Sequence, residues 1–121
     1  MEKITLQEED VMLILWRLGK GFVKDILEQY PDPKPPYTTL ASTVKNLERK
    51  RYLESRRYGN TFEYTPIVGE TEYKRRFMSG VVKDFFGNSY SDLVAFFARE
   101  QRISPEELKE IIRIIENSDR P

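Results

Sequence analysis

The sequence predicts a mainly α-helical fold with a small β-hairpin, arranged as a winged helix-turn-helix domain followed by a C-terminal helical domain. Two observations predict it. The first ~65 residues read as helix, short strand, helix, helix and two-stranded hairpin, which is the order of a winged helix. The remaining residues read as three amphipathic helices. The predicted domains cover residues 1–68 and 69–121.

Composition excludes most kinds of enzyme. The 121 residues include 20 basic and 20 acidic side chains, and 39% are hydrophobic, which suffices for a small core. The chain has no cysteine and no histidine, so thiolate and histidine nucleophiles and ordinary zinc sites are ruled out. No apolar run approaches the ~18 residues of a membrane span, and the N-terminus lacks a signal-peptide pattern. We expect a cytoplasmic interaction protein that uses no cofactor and no metal.

The charges cancel overall but are unevenly placed. Residues 34–58 hold seven basic and two acidic side chains, a net charge of +5, whereas residues 1–33 have a net charge of −3. A basic run is often only a solvated surface, but a phosphate-binding surface also requires one. The predicted local structure favours the second interpretation.

The first helix is predicted by its cap and its apolar spacing. Thr5, followed three residues later by Glu8, forms a capping-box pattern at the start of a helix over about 6–18. The apolar residues that recur along it are Val11, Leu15 and Leu18. A short extended piece at 21–23 and a second helix over 24–30 follow.

The third helix has two contrasting faces. Four prolines in 31–36 exclude a helix there, and Thr38 or Thr39 offers the N-cap of a helix that runs to about Lys50. Its apolar stripe is Leu40, Val44 and Leu47. At ~100° per residue, the opposite face holds only polar and basic side chains. They are Thr39, Ser42, Lys45, Asn46 and Arg49.

A hairpin follows the third helix. Two extended segments, 52–57 and 61–65, are joined by Tyr58-Gly59-Asn60, whose glycine and asparagine favour a tight turn. Arg56 and Arg57 stand at the base of this turn. Helix and hairpin together therefore present the basic stretch on one predicted surface.

This surface fits double-stranded DNA. A winged helix places its third helix in the major groove and its hairpin on the neighbouring backbone. We expect Arg56 and Arg57 to neutralise phosphates. Lys45 can donate to guanine acceptors and Asn46 can pair with adenine.

Three further helices are predicted after the hairpin. The first covers Glu70 to about Phe86, the second is capped by Ser89 or Ser91, and the third starts at Ser104, before a proline. Three short helices cannot bury all of their large apolar side chains. A compact monomeric bundle is the alternative, but we expect an intertwined homodimer, which also suits a palindromic DNA site. Its predicted interface is Tyr73, Phe77, Val81, Phe85, Leu93, Phe96, Phe97, Leu108, Ile111, Ile112 and Ile115.

The sequence resembles the penicillinase-repressor family of bacterial transcriptional repressors, which includes regulators of β-lactamase and methicillin-resistance genes. The resemblance runs from Thr5 to about Ile115, and the order and spacing of its pieces make it specific. The pieces are Thr5-Leu6-Gln7-Glu8-Glu9 with Val11-Met12 and Leu15-Trp16; Tyr37-Thr38-Thr39-Leu40 with Thr43-Val44 and Leu47; Tyr58-Gly59-Asn60 with Tyr64-Thr65-Pro66; and Phe85-Phe86-Gly87-Asn88-Ser89 with Leu93-Val94 and Phe97.

The resemblance implies a repressor that binds a dyad operator as a homodimer, with an N-terminal winged helix and C-terminal dimerisation helices. By position it implies a DNA face of Thr38, Thr39, Ser42, Thr43, Lys45, Asn46 and the two wing arginines. This agrees with the face derived from helical spacing, except that the spacing places Thr43 toward the flank.

Three departures from the family pattern matter. Glycine usually stands where this chain has Arg51, so Arg51 either adopts a left-handed conformation at a cost of ~1 kcal/mol or the turn differs. Arg51 also offers a further phosphate contact. Resistance repressors are inactivated by a sensor and protease partner at an Asn-Phe bond, whereas this chain has Phe96-Phe97, and we expect both rings in the dimer core. The copper-responsive branch uses cysteine pairs, which this chain lacks.

Two other functions remain open at this point. A winged helix can serve as a protein-interaction module without specific DNA binding, and an uncharged or acidic third helix would then be expected. An enzyme could use paired carboxylates, either Asp84 with Asp92 or the cluster Glu106, Glu107 and Glu110. Those glutamates begin a helix, however, where acids stabilise the helix dipole without any catalytic role.

Overall fold

The computed structural model describes residues 1–118, and its architecture confirms the predicted fold class. The elements are α1 (Leu6–Leu18), β1 (Gly21–Phe22), α2 (Val23–Glu28), α3 (Tyr37–Arg49), β2 (Leu53–Tyr58), β3 (Thr61–Pro66), α4 (Glu70–Phe86), α5 (Tyr90–Arg99) and α6 (Pro105–Glu116). The chain forms two compact units, Met1–Lys74 and the part from Arg75 onward. The predicted boundary at 68/69 precedes α4, whereas the two units divide within α4. Residues 119–121 of the predicted C-terminal domain lie outside the described residues.

The capping box predicted at the start of α1 is present. The Glu8 N–H donates to the Thr5 hydroxyl at 3.1 Å, and the Thr5 N–H donates to the Glu8 carboxylate at 2.8 Å. α1 ends at Gly19, where φ is 87°, a left-handed value that glycine adopts without strain. These two signals explain why the predicted bounds of this helix are correct.

The caps of α2 and α3 differ from those predicted. α2 starts one residue early because the Asp25 carboxylate accepts the Phe22 N–H at 2.9 Å. It also ends at Glu28, two residues before the predicted end. The prediction that Thr38 or Thr39 caps α3 is wrong: the N-cap is Pro36, whose carbonyl accepts the Leu40 N–H at 3.1 Å. Proline suits this position because it has no N–H to satisfy.

The three strands form one antiparallel sheet in the order β1-β3-β2. β2 and β3 make the predicted hairpin, or wing, with Leu53 opposite Pro66 and Tyr58 opposite Thr61. Gly59 has a φ of 60°, as the first central residue of a type II′ turn requires. The short extended piece predicted after α1 pairs with β3, so the wing is anchored at its base.

The core of the N-terminal unit joins α1, α2, α3 and the sheet. The predicted stripes are buried, with Val11 and Leu15 from α1 packing in the same cluster as the apolar face of α3. Leu18 is an exception, because it is the last residue of α1 and is exposed. The Trp16 indole donates to the Val68 carbonyl at 2.9 Å and thereby ties α1 to the segment after β3.

The helices of the C-terminal unit begin at serine caps. Of the two predicted candidates for α5, Ser89 is the cap, and it accepts the Asp92 N–H at 3.1 Å. α6 starts with a full capping box: the Glu107 N–H donates to Ser104 at 3.0 Å, and the Ser104 N–H donates to Glu107 at 2.9 Å. Glu107 therefore has a structural role.

Candidate nucleic-acid interface

The outward face of α3 presents the polar and basic side chains that helical spacing predicts. Leu40, Val44 and Leu47 are buried against the core. The side chains on the opposite side are exposed: Thr39, Ser42, Lys45, Asn46 and Arg49. The buried side of α3 packs against the core and holds the helix in place. The five polar and basic side chains therefore extend into solvent from a backbone of defined position.

The two threonines implied only by the family resemblance differ in their surroundings. Thr38 is exposed in the first turn of α3. Thr43 is half-buried, and its hydroxyl donates to the Thr39 carbonyl at 3.0 Å within the same helix. The structure thus places Thr43 on the flank of the exposed face, as the helical spacing predicts.

A cleft separates α3 from the sheet. It has a volume of about 480 Å³, and aromatic residues of β1, α3 and β3 line much of it. They are Phe22, Tyr37, Phe62 and Tyr64, of which Phe22 turns its side chain to the other face of the sheet, the face of its partner Glu63. Lys24 of α2 and Lys45 of α3 also line the cleft, so an apolar trough carries two ammonium groups.

Burial and charge make the Tyr64 hydroxyl a poor acid. Tyr64 is buried on the sheet, and its burial raises the pKa of the hydroxyl, with smaller contributions from Glu48 and Tyr37. The Tyr64 ring therefore stays neutral at physiological pH and acts as an apolar wall of the cleft.

Sequence analysis missed Lys24 and Phe62 as candidate site residues. Lys24 lies outside the basic stretch 34–58, and Phe62 reads as an ordinary strand residue. Only the pairing of β1 with β3, which brings α2 beside the hairpin, places them next to α3. The sequence did hold one signal, a large apolar residue in a short and otherwise mostly polar hairpin. In the structure Phe62 is 40% exposed.

The two wing arginines lie on opposite faces of the sheet. Arg57 is paired with Phe62 and Arg56 with Glu63, and directly opposed residues share a face. The Arg57 Nε–H donates to the Gly59 carbonyl at 2.8 Å. The Arg56 guanidinium instead lies 5.4 Å from the centroid of the Tyr58 ring.

Two other basic residues of the stretch 34–58 have structural roles. The Lys34 ammonium donates to the Tyr30 carbonyl at 2.5 Å and to the Leu27 and Glu28 carbonyls at 3.3 Å, closing the end of α2. Lys50 is largely buried and forms an ion pair with Glu8 at 2.7 Å. The charge of this stretch is therefore only partly available to a ligand.

Arg51 adopts the left-handed conformation, one of the two alternatives expected from the sequence. Its φ is 66°, and its side chain is exposed immediately after α3. The turn after α3 therefore takes the left-handed form that glycine favours, with an arginine in that position.

The predicted dimerisation residues of the C-terminal unit are largely exposed. Phe85 is 78% exposed, and Ile112 of α6 is 46% exposed. The other exposed members are Phe77, Phe96, Phe97, Leu108, Ile111 and Ile115, while Val81 and Leu93 are half-buried. Within α5 and α6, all of whose residues the structure describes, no side chain is buried.

Tyr73 differs from the other residues assigned to the dimer. It belongs to the N-terminal unit, where its ring lies 5.5 Å from that of Trp16 and its hydroxyl donates to Glu9 at 2.7 Å. Burial, together with this hydrogen bond, raises the pKa of the Tyr73 hydroxyl. Tyr73 therefore packs within the N-terminal unit.

Phe96 and Phe97 form an aromatic cluster in the C-terminal unit. Their ring centroids are 5.3 Å apart, and Phe86 lies 5.8 Å from Phe96. Both rings are nearly half exposed, and their place in a dimer core stays a prediction.

Two of the carboxylates considered for catalysis, Glu107 and Glu110, have partners within α6 or at its start. Glu107 belongs to the capping box of α6, where hydrogen bonds from Ser104 hold its pKa below the ordinary value, and Glu110 pairs with Arg113. Among residues 1–118, no three acidic side chains gather into a possible metal site. No helix in the described part of the chain is long and apolar enough to cross a membrane.

Comparison with known proteins finds a family and several relatives. The family model described as penicillinase repressor matches residues 4–117. The methicillin resistance regulatory protein MecI of Staphylococcus aureus (strain N315) is 21% identical over 114 residues, covering 93% of each chain. The penicillinase repressor of Bacillus licheniformis is 24% identical over 119 residues, covering 94% of this chain and 90% of its own. Among solved structures, that of Bordetella bronchiseptica BpsR, described for regulation of its DNA binding by 6-hydroxynicotinic acid, aligns with 95% of this chain and 74% of its own, at a TM-score of 0.48 and 15% identity.

The family match covers nearly the whole chain and includes both units. The chain therefore belongs to the penicillinase-repressor family of DNA-binding transcriptional repressors, which are not enzymes.

Proposed function

We propose that this repressor binds an operator of twofold symmetry as a homodimer, with α3 of each copy in the major groove. The observation that carries the proposal is the outward face of α3, whose polar and basic side chains lie opposite the buried stripe. Such side chains match the donors and acceptors that base pairs present in the major groove.

The side chains of this face divide into two roles. Asn46 has the amide that pairs with adenine, and Lys45 has the ammonium that donates to guanine. Arg49 and Arg51 stand at the end of α3, where they suit phosphates of the adjoining backbone. The exposed Thr38, Thr39 and Ser42 offer hydroxyl donors to bases or phosphates, while the Thr43 hydroxyl already donates to the Thr39 carbonyl within the helix.

The C-terminal unit supports assembly into a homodimer. It is too short to enclose a core of its own, and an apolar stripe on an exposed helix is stable only when another surface covers it. α6 has such a stripe, formed by Leu108, Ile111, Ile112 and Ile115. A second copy offers the same stripe in return, and a twofold dimer matches a palindromic operator.

We place the repressor in the bacterial cytoplasm, where operators are. Resistance repressors of the family are induced through a sensor or protease partner. Because Phe96 stands where their cleavage site has asparagine, we expect this chain to resist cleavage at that bond.

The alternative, a protein-interaction module, requires a different surface. An uncharged or acidic α3 would favour it, whereas the exposed side of α3 carries Lys45 and Arg49 and no acidic side chain. The charge of α3 thus supports DNA as the partner.

An electrophoretic mobility shift measurement tests the proposal. The probe is the DNA upstream of the gene for this protein, with unrelated competitor DNA at physiological salt. We expect a shift that the competitor does not remove, and protection of two half-sites ~10 base pairs apart, or a multiple of that distance. A shift that any competitor removes would contradict specific recognition.

Substituting Asn46 by alanine tests which residue reads bases. We expect Asn46→Ala to weaken operator binding about tenfold or more and to relax the preference at one position of each half-site, because a bidentate pair with a base is lost. Binding to nonspecific DNA should stay unchanged. Equal weakening on both kinds of DNA would show that Asn46 contacts only the backbone.

A further inference from the structure

The register of the wing separates its two arginines, and this separation bears on how DNA lies against the protein. Residues alternate between the two faces along β2. Arg57 shares its face with Phe62, and Phe62 lines the cleft toward α3. Arg56 shares the other face with Glu63. The two side chains therefore meet different surroundings although they are adjacent in the sequence.

The face that holds Arg56 is already balanced in charge. Glu63 forms an ion pair with Lys20 at 3.8 Å, and both line a shallow depression of about 180 Å³ together with Glu54 and Arg56. Two carboxylates thus accompany the two basic groups on this face. A phosphate approaching it would meet both carboxylates, which repel it.

Aromatic packing also holds Arg56 in place. Its guanidinium lies 5.4 Å from the centre of the Tyr58 ring, and the Tyr58 ring packs edge-on against Phe22 at 5.8 Å. These contacts attach Arg56 to the base of the wing, because Phe22 belongs to β1. They give Arg56 a role in the stability of the sheet.

The opposite face has the properties of a phosphate-binding trough. Arg57 is fixed at the tip of the wing by the bond from its Nε–H to the Gly59 carbonyl, and its guanidinium has four further N–H donors. Arg57 does not line the cleft itself but shares the sheet face of Phe62, which does, and Lys24 of α2 lines the cleft as well. Phe62 is exposed there, and its apolar ring matches the apolar side of a deoxyribose.

We propose that one sugar–phosphate strand of the operator lies along the cleft between α3 and β3, held by Lys24 and Arg57, and that Arg56 takes no part in DNA binding. The inference rests on the proposed function and names the residues that position the DNA backbone. Lys24 is a contact that lies outside the basic stretch of the sequence.

The salt dependence of binding tests this assignment. Each lost phosphate contact reduces the slope of log K against log salt concentration by about 0.9. Slopes are measured for the wild type and for Lys24→Ala, Arg57→Ala and Arg56→Ala, on both operator and nonspecific DNA. Arg17→Ala, which removes an exposed arginine from α1, controls for the loss of one charge. Thermal melting of each variant shows that it is folded.

We expect Lys24→Ala and Arg57→Ala each to lower the slope by about 0.9 on both kinds of DNA, because backbone contacts do not depend on sequence. Arg56→Ala should match Arg17→Ala in slope and melt at a lower temperature than the wild type. An Arg56→Ala slope as low as that of Arg57→Ala, or an unchanged slope for Lys24→Ala, would overturn the assignment.

The same measurements distinguish a failure of the proposed function from a failure of the cleft assignment. Wild-type binding without preference for the operator contradicts specific repression, and the slopes on nonspecific DNA still support or overturn the cleft assignment. A wild-type protein that binds no DNA at low salt overturns both proposals.

Discussion

Arg51 occupies a backbone conformation that glycine adopts more easily. Its N–H donates to the Glu48 carbonyl at 3.0 Å, and the Tyr52 N–H donates to the Leu47 carbonyl at 2.9 Å. These two bonds define a Schellman motif, in which the residue after the cap is left-handed. A side chain there costs roughly 1 kcal/mol. The chain thus keeps a positive charge beside α3 at some cost to the stability of its turn.

Replacing Arg51 by glycine should stabilise the fold. We expect Arg51→Gly to raise the free energy of unfolding by about 0.5–1 kcal/mol, because the relief of strain exceeds the entropy that glycine adds to the unfolded chain. Urea denaturation measures the change. Arg51→Ala is the matched control, since it removes the charge and keeps the strain. Equal stabilities of the two variants would show that Arg51 is not strained.

Arg51 and Arg56 differ in how far the sequence predicts their structure. The left-handed conformation at Arg51 was foreseeable, because it depends only on the local end of a helix. The face on which Arg56 lies depends on which residue of β3 pairs with it. Two consecutive arginines alternate in any strand, but the sequence does not say which one faces α3.

At the scale of elements, one buried ion pair joins the start of α1 to the end of α3. Glu8 is 4% exposed, and a single oxygen of its carboxylate accepts both the Thr5 N–H at 2.8 Å and the Lys50 ammonium at 2.7 Å. Lys50 also donates to the Lys3 carbonyl at 3.1 Å. Burial alone would raise the pKa of Glu8, but its hydrogen bonds with Lys50 and Thr5, together with the positive charge of Lys50, hold the pKa below its ordinary value.

Removing the Lys50 ammonium should destabilise the N-terminal unit. Lys50→Met leaves Glu8 buried without its cation, and we expect a loss of about 2–3 kcal/mol in the free energy of unfolding at pH 7. Urea denaturation measures the loss. The double variant Glu8→Gln with Lys50→Met should recover part of it, because no charge then remains buried. A loss below about 0.5 kcal/mol for Lys50→Met would mean that water replaces the ammonium.

The Glu8–Lys50 ion pair predicts how the stability of the fold depends on pH. Because the folded pKa of Glu8 lies below its ordinary value of 4.5, the pair contributes fully above that pH and loses its effect as the pH falls through the folded pKa. The difference in stability between wild type and Lys50→Met should therefore shrink on acidification to about pH 3. A difference that stays constant between pH 7 and pH 3 would contradict the ionised state of Glu8.

Elements with local signals were predictable, and contacts between distant elements were not. Local signals are formed by residues close together in the sequence, so they could be recognised there. They include the caps at Thr5 and Ser104 and the apolar stripe of α3. The Glu8–Lys50 pair joins residues 42 apart, and it removes Lys50 from a stretch that reads as uniformly basic. The cleft likewise forms only when β1 pairs with β3 and brings Lys24 beside α3.

At the scale of the whole molecule, the proposed function assigns DNA reading to the N-terminal unit and assembly to the C-terminal unit. One winged helix reads a single half-site, and a half-site is too short to specify one position in a genome. Two linked copies add their binding free energies, provided that they are held together before they meet DNA. The exposed apolar side chains of α4, α5 and α6 give the C-terminal unit the means to join them.

A charge placed within the stripe of α6 should therefore separate the copies and weaken DNA binding through assembly alone. We expect Ile112→Asp to sediment as a monomer and to lose cooperative operator binding, because an unpaired carboxylate cannot be buried between apolar surfaces. Ile114→Asp is the matched control: it makes the same change on the same helix, at a side chain that is 61% exposed and lies outside the stripe. It should remain a dimer. If Ile112→Asp also sediments as a dimer, α6 lies outside the interface, and the exposed rings of α4 and α5 would have to form it alone.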